Sequence, residues 1–470
     1  MIRTRFSPSP TGMMHIGNAR AALFSALYST KEKGVFILRI EDTDQVRSEH
    51  KYTEILEEDL HWLGVFWQEG PGVGGPYQPY WQSQRHDIYD HYYQELEKKG
   101  LAYPCFCSEQ ELVLNRKIQL SRGIAPRYPG TCRKLSAEEI AKRIAQGMKP
   151  ALRFRVPEKT VVEFVDLVKG LQKFNSDDIG DFIIRRAEGT ASFMFSNAID
   201  DSLMKVTLAM RGDDHLANTP RQLMILQALN MPAPQYGHLS LITGDDGTKL
   251  SKRHGSSSLH DLRQQGFLPS AVLNYLARLS HSCEQQNLMT FSELAENFKI
   301  EKLSRAPARF DMNQLLHWQK EAVMALDNPA TLAWLGEEIL EKIPEDKKDM
   351  FAEVMQKNIL FPREAKTWAE IFFGGEPQFT HEQLDILKEA GEIFFDEAEQ
   401  SAKKHGIHLK NICDDLKKKL NVSGKKLFMP LRIALTSEMN GPELVHIASL
   451  LGAEKMVNYF HRAKELVRNR

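Results

Sequence analysis

The chain has 470 residues, with 61 Lys and Arg against 62 Asp and Glu, a net charge of −1, 42% apolar residues and five cysteines. At about 150 residues per domain this length suggests roughly three domains, each able to bury a core; the ordinary apolar fraction and low net charge exclude a disordered chain, and the size excludes a small disulfide scaffold. No apolar run approaches the ~20 residues that span a bilayer, and the stretch from Met1 to Pro10 lacks the apolar core of a signal peptide, so a cytoplasmic protein is expected.

Residues 2–6 read as a short strand. The run from Ser7 to Gly12 follows, with two prolines and a glycine that forbid regular structure. Helical composition begins at about His15 and continues to a stop at Gly34. The nearly continuous apolar run Val35 to Ile40 is that of a strand buried on both faces in a parallel sheet. Tyr52, Leu56, Leu60 and Leu63 recur at helical spacing and end at Gly64. A further helix runs to about Gly100, with Ile88, Tyr92 and Leu96 on one side. Strands alternating with helices indicate an open α/β sheet.

Between about 101 and 190 the alternation breaks: a cysteine cluster and a charged helical stretch (Ser136 to Gly147) precede extended runs at Leu152–Val156 and Val161–Val165, as an inserted module would. Apolar α/β character resumes over 191–255, a connecting domain is expected over 256–324, and 325–470 read as an all-helical domain. Residues 401–470 hold 14 Lys and Arg against 6 Asp and Glu, leaving the first 400 residues at −9. A basic end on an acidic body fits either a polyanionic partner or a solvated helical surface.

Three cysteines lie close together at Cys105, Cys107 and Cys132, with Tyr128 beside the last; Cys283 and Cys413 are isolated. In a reducing compartment this favours a metal site plus two buried thiols over disulfides. Two sulfur-bearing elements joined by a loop are a common frame for tetrahedral zinc, although a tyrosine ligand is unusual. Three thiols without metal remain the alternative.

Two segments carry the chemistry. The run from Ser7 to Arg20, with His15 and Gly17 where a buried strand turns into a helix, offers free N–H groups at a helix start and room for a flat ligand. The run from Gly244 to Gly255 carries Lys249, Ser251, Lys252 and Arg253 between glycines, so it can close over a triphosphate and neutralise charge as pyrophosphate leaves.

Together the two segments resemble the signature pair of class I aminoacyl-tRNA synthetases, in the wording of the glutamyl-tRNA synthetase family. His15-Ile-Gly-Asn18 stands at the His-Ile-Gly-His element and Lys249-Leu-Ser-Lys-Arg253 at the Lys-Met-Ser-Lys-Ser element. The likeness extends to Arg39–Asp44, Arg211–His215, Asn218–Gln222 and Ser304–Asp311, and so covers essentially the whole chain. The resemblance implies ATP-dependent activation of L-glutamate to glutamyl-adenylate, then transfer to the terminal adenosine of tRNA-Glu. It also implies a Rossmann-type catalytic domain interrupted by an acceptor-binding module, and a structural Zn2+ at Cys105, Cys107, Tyr128 and Cys132; ATP chemistry implies Mg2+, the short apolar runs imply no membrane, and the domain plan would work as a monomer. Thr11, Gly12, His15, Gly17, Asn18, Asp214 and Lys252 match ATP-binding positions, and His15, Lys249, Lys252 and Arg253 catalytic ones. Arg5 and Arg211 match carboxylate-binding arginines, Ser9 and Glu41 groups that hold the backbone end of the amino acid, and Asn197 a pocket amide. Arg432 and Arg363 match anticodon contacts, while Lys417–Lys419 suit phosphate.

One departure stands out: Phe193 occupies a position where the family commonly has tyrosine. Without another donor, the missing hydroxyl costs about 1 kcal/mol of glutamate affinity. The helical last third separates the chain from glutaminyl-tRNA synthetases, and its length from a shortened relative that modifies a tRNA base. An inactive nucleic-acid-binding descendant is disfavoured by the intact Arg5, His15, Glu41, Arg211 and Lys252. Whether tRNA-Gln is also a substrate is not legible in the residues.

Overall fold

In the computed structural model the described residues are 1–44, 48–244, 246–248, 250 and 258–468. They form two compact units, one of Met1–Gln264 with Pro269–Trp318 and one of Gln265–Leu268 with Gln319–Arg470.

The first unit begins β1 (Arg3–Phe6), α1 (Ile16–Lys31), β2 (Val35–Leu38), α2 (His50–Trp62) and α3 (His86–Lys98). It continues with β3 (Ala102–Cys105), α4 (Glu109–Ser121), α5 (Ala137–Ala145), β4 (Ala151–Phe154), β5 (Val161–Asp166), β6 (Gly170–Asn175), the single turn α6 (Ser176–Ile179) and β7 (Phe182–Arg185). After these come α7 (Phe193–Leu203), β8 (Leu208–Gly212), α8 (Thr219–Ala228) and β9 (Gln235–Leu239). A six-stranded sheet runs β2-β1-β8-β9-β5-β6, parallel except for the antiparallel β5–β6 hairpin at its edge. β1 is buried along its whole length, as a strand covered on both faces must be. β5 and β6 alternate exposed and half-buried residues, which is the pattern of an edge.

Chain ends and helix faces follow local chemistry. His15 caps α1 by accepting from the Gly17 amide, and Gly64, at φ 81°, closes α2 in the left-handed region where a side chain would be strained. A Cβ at Gly34 would collide with the Ile2 backbone, so that glycine is required by close approach. The buried face of α3 is one residue away from the expected one: Tyr89 and Tyr93 are buried with Leu96, while Ile88 and Tyr92 are half-buried. The tyrosines can go inside because Tyr89 donates to Asp200 Oδ2 at 2.7 Å and Tyr93 to the Ile184 carbonyl at 3.1 Å. β3, β4 and β7 form a separate antiparallel sheet, whereas the hairpin β5–β6, from the same interrupted stretch, extends the main sheet instead.

The second unit is helical, as its periodicity requires. Phe351, Phe372, Phe395 and Phe460 lie fully buried in one core. The helix Glu392–His405 packs on the helical segment Leu444–Arg468, which breaks at Gly452. Cys413 is buried there; Cys283, in the first unit, is only half-buried, contrary to the expectation of two buried thiols. No helix among the described residues is long and apolar enough to cross a membrane.

Candidate active site

Arg5 at the end of β1, Glu41 just beyond β2, Asn197 on α7 and Arg211 on β8 meet where the parallel strands end, the usual ligand position in an open α/β sheet. They line a cavity of about 240 Å³ with Ser9, Thr11, Asn18, Phe193 and His215. Every expected glutamate-pocket residue is therefore at one place. Of the expected nucleotide positions, Thr11 and Asn18 line the cavity, while Gly12, His15, Gly17 and Asp214 do not.

A layer of buried charge lies behind the cavity. The Arg5 guanidinium is bidentate on Asp201, 3.2 Å from Oδ1 and 3.1 Å from Oδ2, and Arg39 Nη2 is 2.8 Å from Asp201 Oδ1. Arg85 donates to Asp200 at 2.7 Å, and Asn197 donates to Glu41. Burial pushes Asp201 up, but Arg5 and Arg39 outweigh it and hold the carboxyl below its ordinary range. At Glu41 burial wins over Arg39 and Arg5 and raises the carboxyl to about 7.

Among the described residues, Arg211 differs from Arg5 in having no acid against it. Its Nε donates to His238 Nε2 at 3.2 Å, and its Nη2 to Thr219 at 2.9 Å and Gln222 at 2.7 Å. Its carbon centre lies 5.2 Å from the Tyr236 ring. Nη1 is buried with no hydrogen-bond partner. Burial pulls the guanidinium down to about 10. A buried cation with one bare donor on a cavity calls for an anionic ligand.

At the start of α1, His15 Nδ1 accepts from the Gly17 amide at 3.2 Å, so its Nε2 is the donor to the Leu250 carbonyl at 3.1 Å. A Cβ at Gly12 would meet nothing within 4 Å, and at Gly17 only His15 Nδ1 at 3.6 Å, so the approach to the helix end is open. Asp214 is exposed just after β8. Lys249, Ser251, Lys252 and Arg253 lie outside the described residues.

The cysteines assemble around Tyr128 beside β3. Its hydroxyl is 3.5 Å from both Cys105 and Cys107 Sγ, and Cys107 and Cys132 Sγ are 3.7 Å apart. The three sulfurs lie within 4.8 Å of one another. An ion with Zn–S bonds of about 2.3 Å in tetrahedral geometry holds its sulfurs about 3.8 Å apart, so the donor set fits a metal. Arg153 donates to Cys105 Sγ at 3.1 Å and stacks 3.7 Å over the Tyr128 ring. Burial raises the Cys107 thiol to about 11; at Cys105, burial is outweighed by the hydrogen bond with the Tyr128 hydroxyl and that from Arg153, and the thiol falls below its ordinary value.

Residues 1–317 match the family model for tRNA synthetases class I (E and Q), catalytic domain, and residues 312–463 that for an anticodon binding domain. A glutamate–tRNA ligase of Coxiella burnetii is 51% identical over 463 residues, covering 98% of this chain and 100% of the relative. One from Halorhodospira halophila is 50% identical over 465 residues, covering 99% and 97%. The chain belongs to the glutamate–tRNA ligases, class I aminoacyl-tRNA synthetases. A crystal structure of a glutamate tRNA ligase from Elizabethkingia meningosepticum, in complex with its amino acid, matches this ligase with a TM-score of 0.89 at 28% identity, over 99% of each chain.

In the ligase's helical unit, Arg432 is half-buried with Nη1 on the Pro442 carbonyl at 2.8 Å, and Arg363 is exposed, its guanidinium 5.2 Å from the Phe361 ring. The sequence reasoning missed the groups that support the pocket from behind: Asp166, Asp200, Asp201 and His238, none of which lines the cavity. Asp200 and Asp201 left a signal, since they follow Asn197 by three and four residues on α7 and so share its helix face. His215 was read only as part of a motif, yet it lines the cavity, with its ring 5.2 Å from Phe193.

Proposed function

We propose that the cavity holds L-glutamate for attack on ATP, and that this ligase then passes the glutamyl group to the 3′-terminal adenosine of tRNA-Glu. The observation that carries this reading is that Arg211, a buried guanidinium with no acid against it among the described residues and with Nη1 unpartnered, lines the same cavity as Arg5. Two guanidiniums serve the substrate carboxylates, while Glu41 and Ser9 take the ammonium end and Asn197 orients Glu41. Arg5 shares its charge with Asp201, so Arg211 is the stronger anion holder.

Thr11, Gly12, His15, Gly17, Asn18 and Asp214 hold ATP at the open start of α1, and Mg2+ accompanies the triphosphate as its counter-ion. With glutamate fixed, its α-carboxylate oxygen attacks the α-phosphate, the bond to the β-phosphate breaks, and pyrophosphate leaves. A ribose hydroxyl of the terminal adenosine then attacks the acyl carbon and releases AMP. Neither step uses a covalent enzyme intermediate, so positioning and charge stabilisation supply the catalysis. Lys252, supported by Lys249 and Arg253, stabilises the pentavalent phosphate.

Cys105, Cys107, Tyr128 and Cys132 would hold zinc, which would supply a fixed cross-link bracing the β3-β4-β7 module that meets the acceptor stem. The helical unit reads the anticodon, with Arg432 and Arg363 as base contacts. The ligase works as a monomer in the cytoplasm, which agrees with five unbridged cysteines.

Charging of purified tRNA-Glu and tRNA-Gln with glutamate tests the function. The wild type is expected to charge tRNA-Glu, and Lys252→Ala to lose about 3 kcal/mol in the activation step. Activity on tRNA-Gln extends the substrate range; charging of neither tRNA overturns the assignment.

A further inference from the structure

Among the described residues, Arg211 is held by neutral acceptors only. His238 Nε2 accepts from Arg211 Nε at 3.2 Å, so that nitrogen carries no proton. The imidazole proton therefore sits on Nδ1, 2.5 Å from Asp166 Oδ2. Asp166 is fixed in turn by the amides of Val168 at 2.9 Å and Lys169 at 2.8 Å, at the point where the β5–β6 hairpin joins β9. Asp166, His238 and Arg211 are all buried.

We infer that Asp166 and His238 are positioning residues for glutamate binding: the carboxylate sets the imidazole tautomer, and the imidazole aims Arg211 at the cavity without neutralising it. The physical reason lies in the contrast with Arg5. A carboxylate placed directly on Arg211, as Asp201 is on Arg5, would satisfy the guanidinium and compete with the substrate. One residue further back, Asp166 transmits orientation through a neutral ring, and the charge of Arg211 stays available to the ligand. Burial, acting with Arg211, lowers the His238 imidazole from its ordinary value and keeps it neutral. The hairpin at the sheet edge thus helps to build the pocket.

The inference rests on Arg211 holding glutamate, and the experiment separates the two. Aminoacylation of tRNA-Glu by the full chain is measured with glutamate and ATP varied in turn. For His238→Leu the KM for glutamate is expected to rise about tenfold, the scale of one lost hydrogen bond to a charged group, with the KM for ATP unchanged. His238→Gln is expected to restore it, because Oε1 can accept from Arg211 while Nε2 donates to Asp166. Equal rises in both KM values, no rise in a folded His238→Leu, or no rescue by Gln overturns the inference. An unchanged glutamate KM in Arg211→Ala overturns the underlying assignment of Arg211 itself. Should His238→Leu fail to fold, nitrogen NMR of the wild type decides, the His238 signal being the one that His238→Gln removes. Protonation at Nδ1 supports the inference, and protonation at Nε2 overturns it.

Discussion

The proposed glutamate pocket, with its support, draws its groups from Arg5 on β1 to His238 on β9, whereas the cysteine cluster takes all its donors from the short span between Cys105 and Cys132. In both places an arginine donates to a buried acidic group, but the surroundings differ. Arg5 and Arg39 share Asp201 in a fully buried layer braced by a six-stranded sheet. Arg153 faces one thiol at the edge of a three-stranded sheet, and the cluster is closed by loops. A pocket assembled across a sheet derives its rigidity from the fold; a cluster assembled locally depends on what binds it.

Breaking the buried layer should have the largest effect. Asp201→Asn leaves Arg5 and Arg39 without their shared carboxylate, and urea unfolding should show a loss of about 3–5 kcal/mol. In the local cluster, Arg153→Met keeps a side chain on Tyr128 but removes the donor to Cys105. Zinc affinity, read by competition with a chromophoric chelator, should fall about tenfold while the KM for glutamate stays constant. A change in that KM would mean the two regions are not independent.

Protonation sharpens the contrast further. Glu41, raised to about 7 by burial against the pull of Arg39 and Arg5, must be ionised to hold an ammonium. As pH falls below that value the glutamate KM should climb toward about tenfold per unit. The same shift acts on stability with the opposite sense: the folded state holds the proton more tightly than the unfolded chain, whose value is near 4.5, so this contribution is full below 4.5 and is lost as pH rises to about 7. A glutamate KM flat between pH 6 and 8 would remove Glu41 from the ammonium site. The smallest effect belongs to Phe193→Tyr, which returns a hydroxyl to the cavity beside His215. The glutamate KM should fall by a factor corresponding to about 1 kcal/mol, and no change would indicate that His215 already supplies that hydrogen bond.

Legibility in the sequence followed the range of the interactions. The strand and helix of the first forty residues, the helix start near His15 and the stop at Gly64 depend on neighbouring residues and emerged with small shifts at their ends. Arg5, Glu41, Asn197 and Arg211 were found through the family wording around them, not through periodicity. Asp166 and His238 had no such wording. The α3 face was misplaced by one residue because tyrosine burial depends on acceptors at Asp200 and Ile184, about a hundred positions away.

By itself the sequence determined the element types, the cysteine grouping, the helical last third and the family, since each is carried by local spacing or by contiguous motifs. Only the tertiary structure decided which charges are paired. β1 lies between β2 and β8, and β9 between β8 and β5. That strand order sets Arg211 opposite His238, and the packing of α7 sets Asp201 on Arg5. Two arginines that look equivalent in the chain therefore differ in free charge, because pairing is set by neighbours in the sheet and on the helix packed against it, not by neighbours in sequence.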